Sequence, residues 1–187
     1  MRIIAGRFKG RTLIGPKGHL TRPTSDRVRE ALFSALGNIE DAVVADLYAG
    51  TGALGLEALS RGARIATFVE SSKSALISIS RNIETLGLAQ QTRVMRVPLE
   101  RAIGSLAEMG PFNLVFADPP YAIVNRAAEL LQTFIETAAM AAPPFRVVLE
   151  HASKDEPRLR GPERIFHRCY GDTGVSIFAA DEPAASN

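Results

Sequence analysis

Short apolar runs alternate with amphipathic segments along most of this chain. Five runs rich in β-branched and aliphatic residues predict strands of a mostly parallel sheet, and the first of them reads as a buried one: 43–48, 65–70, 92–97, 112–117 and 145–150. Helical periodicity follows the first four runs, near 53–61, 73–86, 99–108 and 124–141. A polar connection leads to two further runs, 163–170 and 173–180, which predict an antiparallel hairpin. The pattern therefore predicts an α/β fold, a doubly wound, mostly parallel seven-stranded sheet that ends in this hairpin.

The first 37 residues differ from the rest in pattern and in charge. Residues 2–14 predict a small β-hairpin, and 24–37 predict a helix that Thr24 or Ser25 caps. This segment has eight basic and two acidic residues, a net charge of +6, whereas the remainder has a net charge of −4. A basic segment on a mildly acidic domain indicates a polyanion-binding surface, the alternative being a solvated arm. We predict a basic extension at 1–37, the main domain at 38–181 and a frayed tail at 182–187.

Composition narrows the class of protein. The chain has 187 residues and one cysteine, Cys169, so an internal disulfide and a cysteine-built metal site are excluded. We expect this thiol to be a small buried apolar group. The three histidines do not cluster with carboxylates, and no apolar run approaches the length of a membrane span. We therefore expect a cytoplasmic monomer that binds no metal and no membrane.

The stretch VVADLYAGTGALG, residues 43–55, organises the candidate chemistry. It predicts a strand, a glycine turn and a helix N-terminus, which together form the nucleotide-cofactor corner of an open α/β sheet. The spacing of Gly50, Gly52 and Gly55 also fits the dinucleotide fingerprint, so it does not name the ligand.

Two acidic residues at strand ends bear on the choice of cofactor. Asp46 would repel the pyrophosphate of a dinucleotide but suits S-adenosylmethionine (SAM), which brings a sulfonium and an ammonium group. Glu70 can accept both ribose hydroxyls of either cofactor, or it can cap the following helix. The corner therefore favours SAM.

The second motif is Asp118-Pro119-Pro120-Tyr121, at the end of the fourth parallel strand. The Asp118 carboxylate and the Pro119 carbonyl can hold both hydrogens of an exocyclic amine and direct its lone pair at a methyl donor. Tyr121 offers an aromatic face on which a base can stack. This arrangement is typical of amine methylation on a planar base.

Taken together, these motifs resemble those of the RsmD family, bacterial methyltransferases of guanine N2 in 16S ribosomal RNA. The resemblance covers nearly the whole chain, through RIIAGRFKGR, TRPTSDRVREALF, DLYAGTGALGLEALSRGA, FVE, DPPY and YGDT. DPPY alone is shared with DNA adenine methyltransferases, so the N-terminal motifs point to this family. The resemblance implies the Rossmann-like SAM-dependent methyltransferase fold, SAM contacts from Asp46, Gly50, Gly52 and Glu70, and an amine site at 118–121.

Further site assignments complete the expected picture. We assign Tyr48 to the cofactor, and the Leu99 backbone to its adenine because residues 96–100 offer no clear side chain. The residues expected to contact RNA are Arg7, Lys9, Arg11, Arg22, Thr24 and Arg27. By resemblance the substrate is guanine 966 of 16S RNA, within the 30S subunit.

Three alternative functions stay open. A SAM-dependent adenine-N6 methyltransferase acting on DNA or RNA would use the same DPPY motif. An NAD(P)-linked oxidoreductase would use the glycine corner, although the sequence offers it no evident proton donor. A non-catalytic RNA-binding module would leave both motifs unused.

Overall fold

The computed structural model describes residues 1–15, 26–137 and 144–180. The strands are β1 (Val43–Asp46), β2 (Ile65–Val69), β3 (Thr92–Met95), β4 (Leu114–Ala117), β5 (Phe145–Ala152), β6 (Glu163–Tyr170) and β7 (Thr173–Ala180). The helices are α1 (Asp26–Leu36), α2 (Ala53–Ser60), α3 (Lys73–Leu86), α4 (Leu99–Met109) and α5 (Val124–Ile135). Short 3-10 turns lie at Ala89–Gln91 and Tyr121–Ile123.

All the strands form one seven-stranded sheet in the order β3-β2-β1-β4-β5-β7-β6. The first five are parallel, and β7 pairs antiparallel with both β5 and β6. This confirms the predicted doubly wound sheet with its C-terminal hairpin. Chain order reverses between β1 and β4, so a crevice is expected at their carboxyl ends.

Two apolar clusters cover the faces of the sheet. One holds the apolar sides of α1, α2 and α3, and there the rings of Phe33 and Phe116 are 5.6 Å apart. The other holds the apolar sides of α4 and α5, and there the rings of Phe112 and Phe134 are 6.0 Å apart. Each face of β1 and β4 is therefore buried, which explains why these strands read as continuous apolar runs.

The N-terminal segment packs on α2. Ile3 and Leu13 belong to the same apolar cluster as α1, and the fully buried carboxylate of Glu57 accepts the N–H groups of Ile4 and Ala5 at 2.7 and 3.0 Å. Because residues 4–8 bond to α2 rather than across a hairpin, the two predicted strands reduce to one isolated bridge, between Arg2 and Thr12. The basic extension therefore shares the core of the main domain.

Some boundaries differ from the prediction. Strand β5 runs to Ala152 because its last residues pair with β7, whereas the sequence predicted a connection from 151. Helix α5 ends at Ile135, not at 141. Cys169 is exposed on β6, so its prediction as a buried group was wrong; β6 is an edge strand with one side open to solvent. None of the described helices has the length and apolarity to cross a bilayer.

Candidate active site

A cleft of about 780 Å³ opens at the carboxyl ends of β1, β2, β4 and β5. Its walls come from the glycine turn after β1, the residues that follow β2 and β4, Glu150 of β5, and the start of α4. The sequence analysis predicted that the glycine-turn motif and the DPPY motif lie at this carboxyl edge of the sheet. The structure brings both motifs into the same cleft.

The three glycines of the turn have different roles. Gly50 has φ of +55° and borders the cleft. Gly52 has φ of +78° but does not border the cleft, because its Cβ position faces Leu56, Phe68 and Ile79 in the core. Gly55 lets α2 approach β2, since a Cβ there would lie 2.4 Å from Cε1 of Phe68. Gly52 therefore shapes the turn, and its contact with the cofactor stays a prediction.

Asp46 is a buried acid beneath the start of α2. Its side chain is 1% exposed, and its Oδ2 accepts the N–H of Gly55 at 3.0 Å. The pKa of Asp46 is raised from 3.8 to about 7, mainly by burial and also by the nearby carboxylate of Glu70, against a lowering by the Gly55 N–H. A buried carboxylate at a cleft wall is stabilised by a cation. The site therefore fits a cofactor with positive charge, such as SAM.

Glu70 is both a cleft residue and a structural one. Its Oε2 accepts the N–H of Gly50 at 2.8 Å, and its Oε1 accepts those of Ser71 and Ser72, both at 2.7 Å. A carboxylate has about four acceptor positions, so three of them are used within the chain. Glu70 therefore ties the glycine turn to the start of α3, and Oε2 keeps acceptor capacity toward the cleft.

The opposite wall carries Tyr48 and the start of α4. Tyr48 is half-buried, and burial together with the nearby Glu100 raises its pKa to about 12, against a lowering by Arg126. Its hydroxyl is therefore a neutral hydrogen-bond donor at physiological pH. Leu99 is the first residue of α4 and borders the cleft, where first-turn N–H groups have no partner within the helix. The backbone of Leu99 is thus available to an acceptor such as an adenine nitrogen.

The substrate end of the cleft follows β4. Asp118 is half-buried, Pro119 is buried, and both border the cleft. Tyr121 begins a 3-10 turn that the Ile123 N–H closes on the Pro120 carbonyl at 2.9 Å. The prolines therefore hold an extended exit from the strand directly beside the cofactor corner.

Two cleft residues were missed by the sequence analysis. Arg29 of α1 is fully buried although it borders the cleft, and Glu150 on β5 is 7% exposed. The sequence contains a signal for each of these two residues. Arg29 falls in the same helical register as Leu32, Phe33 and Leu36, so it occupies an apolar-face position. Glu150 ends the fifth predicted strand, as Asp118 follows the fourth.

The residues predicted to contact RNA are only partly described. Arg22 and Thr24 lie outside the described residues. Lys9, Arg11 and Arg27 are exposed. Arg7 is exposed too, but its guanidinium donates to Oε1 of Gln91 at 2.9 Å and lies 4.4 Å from the centre of the Phe8 ring. These cations lie on the surface and are available to a polyanion.

Among the described residues, no group of three or more His, Cys, Asp or Glu side chains is placed to hold a metal ion.

Comparison with known proteins gives consistent likenesses. The profile of the family described as Conserved hypothetical protein 95 matches residues 1–179. YlbH of Bacillus subtilis (strain 168), provisionally named an rRNA methyltransferase, is 38% identical over 183 residues, which cover 95% of this chain and 98% of YlbH. Ribosomal RNA small subunit methyltransferase D of Escherichia coli (strain K12) is 45% identical over 123 residues, which cover 65% of this chain and 60% of that protein.

A solved structure extends the likeness to the whole fold. The Escherichia coli protein yhhF, provisionally assigned as a methyltransferase, matches with a TM-score of 0.82 at 32% identity. The match covers 98% of this chain and 99% of that one. The N-terminal segment, the sheet and the C-terminal hairpin are thus all within the shared architecture.

Proposed function

This chain belongs to the RsmD family, the family of conserved hypothetical protein 95, and on that premise we propose that it is a SAM-dependent RNA methyltransferase. The finer proposal is that it methylates the exocyclic N2 amine of a guanine in 16S ribosomal RNA. The observation that carries it is the presence of Asp118 and Pro119 in the same cleft as the buried acid Asp46. One end of the cleft suits a cationic cofactor and the other suits an amine.

The cofactor half of the cleft would hold SAM through three contacts. Asp46 balances its positive charge, Glu70 accepts a ribose hydroxyl on Oε2, and the Leu99 N–H meets the adenine. When bound, SAM supplies a methyl group on a positively charged sulfur and becomes neutral S-adenosylhomocysteine. Ionised Asp46 is unfavourable in the empty cleft and is stabilised by the bound cation, so this residue favours SAM over its neutralised product.

In the substrate half, Asp118 and the Pro119 carbonyl accept the two hydrogens of the amine. This orients the nitrogen lone pair, which is otherwise delocalised into the ring, toward the methyl carbon. The new N–C bond forms as the C–S bond breaks with its electrons going to sulfur. The methylated nitrogen then carries a positive charge and releases one proton to the Asp118 carboxylate or to water. Tyr121 is assigned to stacking on the base.

The proposed substrate is the small-subunit RNA. The name of the Escherichia coli relative, which is 45% identical over the matched part, supports 16S RNA, and family membership supports guanine 966. We propose that the RNA is recognised within the assembling or assembled 30S subunit. Arg7, Lys9, Arg11 and Arg27, with Arg22 and Thr24, are proposed as its contacts.

The cleft argues against a dinucleotide. A pyrophosphate at the glycine turn would stand close to Asp46, and burial would make the repulsion between the two negative charges strong. A neutral, protonated Asp46 would remove that repulsion but would have no cation to bind.

Two experiments test the proposal. Calorimetric titration with SAM, S-adenosylhomocysteine and NAD should show binding of the first two, and binding of NAD alone would overturn the assignment. The second uses mass mapping of 16S RNA from cells that lack this gene. Small subunits from these cells should gain one methyl group at the target guanine when treated with the protein and SAM. Methylation of an adenine instead would favour the alternative amine methyltransferase.

A further inference from the structure

Glu150 stands beside Asp118 at the edge of the sheet. Strands β4 and β5 pair in parallel with Ala117 opposite Leu149, and the next residues along the two segments are Asp118, just after β4, and Glu150 of β5. Side chains alternate along a strand, and Phe116 and Val148, two residues earlier, both pack into the cluster under α1. Asp118 and Glu150 therefore project toward that same face, and both border the cleft.

Helix α1 adds a buried cation on this face. The Nη2 of Arg29 donates to the carbonyl of Arg2 and to Oδ1 of Asp26, both at 2.7 Å. Its Nε and Nη1 are buried and have no hydrogen-bond partner among the residues that the structure describes. A buried guanidinium with unpaired donors is costly unless an acceptor completes it. Arg29 borders the cleft, so an acceptor that enters the cleft beside it would complete these donors.

The Watson–Crick edge of guanine matches this arrangement. It presents the N2 amine and the N1–H as donors, followed by O6 as an acceptor. If the amine lies against Asp118 and Pro119, the N1–H comes next along the edge and needs an acceptor, and O6 needs a donor. Glu150 offers a carboxylate acceptor, and Arg29 offers guanidinium donors. Adenine would instead place the lone pair of its N1 against the carboxylate.

We propose that Glu150 and Arg29 select guanine, with the Glu150 carboxylate accepting N1–H and the Arg29 guanidinium donating to O6. This inference deepens the proposed function and rests on it. It assigns substrate specificity to two residues outside the DPPY motif, one on β5 and one on α1.

The discriminating substrate is 2-aminopurine, which keeps the N2 amine but has a bare N1 lone pair and no O6. Small-subunit RNA with 2-aminopurine at the target position can be prepared by ligation and assembled into particles. Methyl transfer from SAM is then measured on both bases. The unaltered protein should prefer guanine by on the order of a hundredfold in kcat/KM, because the analogue has no N1–H to donate to Glu150 and no O6 to accept from Arg29.

Glu150→Gln tests the N1 contact because it replaces one carboxylate oxygen, an acceptor, with an amide NH2 group, a donor. We expect its rate on guanine to fall at least tenfold and its rate on 2-aminopurine to rise, since the amide N–H can donate to N1. The matched control is Glu163→Gln, the same change at an exposed position on β6. It should leave both rates unchanged. A Glu150→Gln protein with the original preference for guanine would overturn the N1 contact.

Arg29→Lys tests the O6 contact while keeping the charge. We expect a loss of about tenfold on guanine and no loss on 2-aminopurine, because the analogue has no O6 to bind. Equal losses on both bases would show that Arg29 only supports the fold and would overturn its role in specificity. Thermal unfolding of each variant confirms that it is folded when assayed.

These experiments distinguish failure of the proposed function from failure of the inference on guanine specificity. If the unaltered protein methylates no guanine in the particles, the proposed function fails. If it methylates guanine, but neither variant changes the ratio between the two bases, the proposed function stands and the inference on specificity is wrong.

Discussion

The N–H of Gly50 donates to Oε2 of Glu70 at 2.8 Å, which joins the glycine turn after β1 to the residue that ends β2. The other oxygen of the same carboxylate accepts the N–H groups of Ser71 and Ser72 ahead of α3. One side chain thus fixes two walls of the cofactor cleft before any ligand binds. The contribution to cofactor affinity proposed for Glu70 would thus include preorganisation of the backbone.

Glu70→Gln should therefore weaken the protein without its cofactor. The amide replaces one acceptor oxygen by a donor group that faces an N–H, so we expect a loss of about 1–3 kcal/mol in the free energy of unfolding. SAM affinity should fall as well. Denaturant unfolding without ligand provides the measurement, and Glu84→Gln, on the exposed side of α3, is the control. Unchanged stability would mean that Glu70 acts on the ribose alone.

Asp46→Asn should separate stability from cofactor binding. The pKa of Asp46 lies at about 7 in the folded chain, above its ordinary 3.8, so the stability it contributes is full below pH 3.8 and is lost as pH rises through 7. An uncharged amide avoids that loss. We expect the variant to unfold at higher temperature than the unaltered protein at pH 8, and both to behave alike near pH 4.

The same residue should make SAM binding depend on pH. Below pH 7 a cationic ligand must displace the Asp46 proton, so affinity should rise with pH up to about 7 and then level off. Calorimetry across this range should show one proton released per SAM at low pH, and none for Asp46→Asn. If SAM affinity of the Asp46→Asn protein depends on pH in the same way, Asp46 does not bind the cofactor.

Gly55→Ala should destabilise the fold by about 1–3 kcal/mol, because the new methyl group would meet the Phe68 ring and push α2 off the sheet. Gly104→Ala, in α4, is the matched control. Its Cβ position has no neighbouring atom of the described chain within 4 Å beyond its own helix, so alanine should add about 0.5–1 kcal/mol through helix propensity. Thermal unfolding of both variants decides whether close packing or glycine flexibility matters at residue 55.

Asp118→Ala should abolish methyl transfer and leave SAM affinity nearly intact. The carboxylate lies at the end of β4, beside the cofactor corner, so its loss should appear in the rate rather than in cofactor binding. Single-turnover methylation and calorimetry measure the two effects. A variant that keeps more than about a tenth of the rate, equivalent to roughly 1.4 kcal/mol of barrier, would contradict the assigned role.

Replacing Arg7, Lys9 and Arg11 together by Ala should weaken RNA binding and flatten its salt dependence. Each lost phosphate contact removes about 0.7–0.9 from the slope of log affinity against log salt. Affinity is measured at several salt concentrations, with SAM binding as the check on folding. The exposed cations Lys154, Arg158 and Arg160 provide a control variant of equal charge. If only that control changes the slope, the RNA surface lies on the connection between β5 and β6.

The sequence by itself determined the sheet and the chemistry of the cofactor corner. Period-two and period-3.6 patterns are local, and strands inside a parallel sheet have to be apolar on both faces, so β1, β2, β4 and β5 could be predicted within a few residues. The glycine turn after Asp46 and the prolines after Asp118 are likewise local signals, because backbone conformation restricts which residues occupy such turns.

Only the tertiary structure decided which distant residues share a surface. Glu57 draws the N-terminal segment onto α2, so residues that pattern alone assigned to a hairpin are part of the core. Arg29 and Glu150 were missed because burial of a charge depends on partners far away in the chain, which a local signal such as the helical register of Arg29 does not identify. Glu70 could be predicted as a cleft acid, but its three N–H donors come from two separate turns that meet only when the sheet forms.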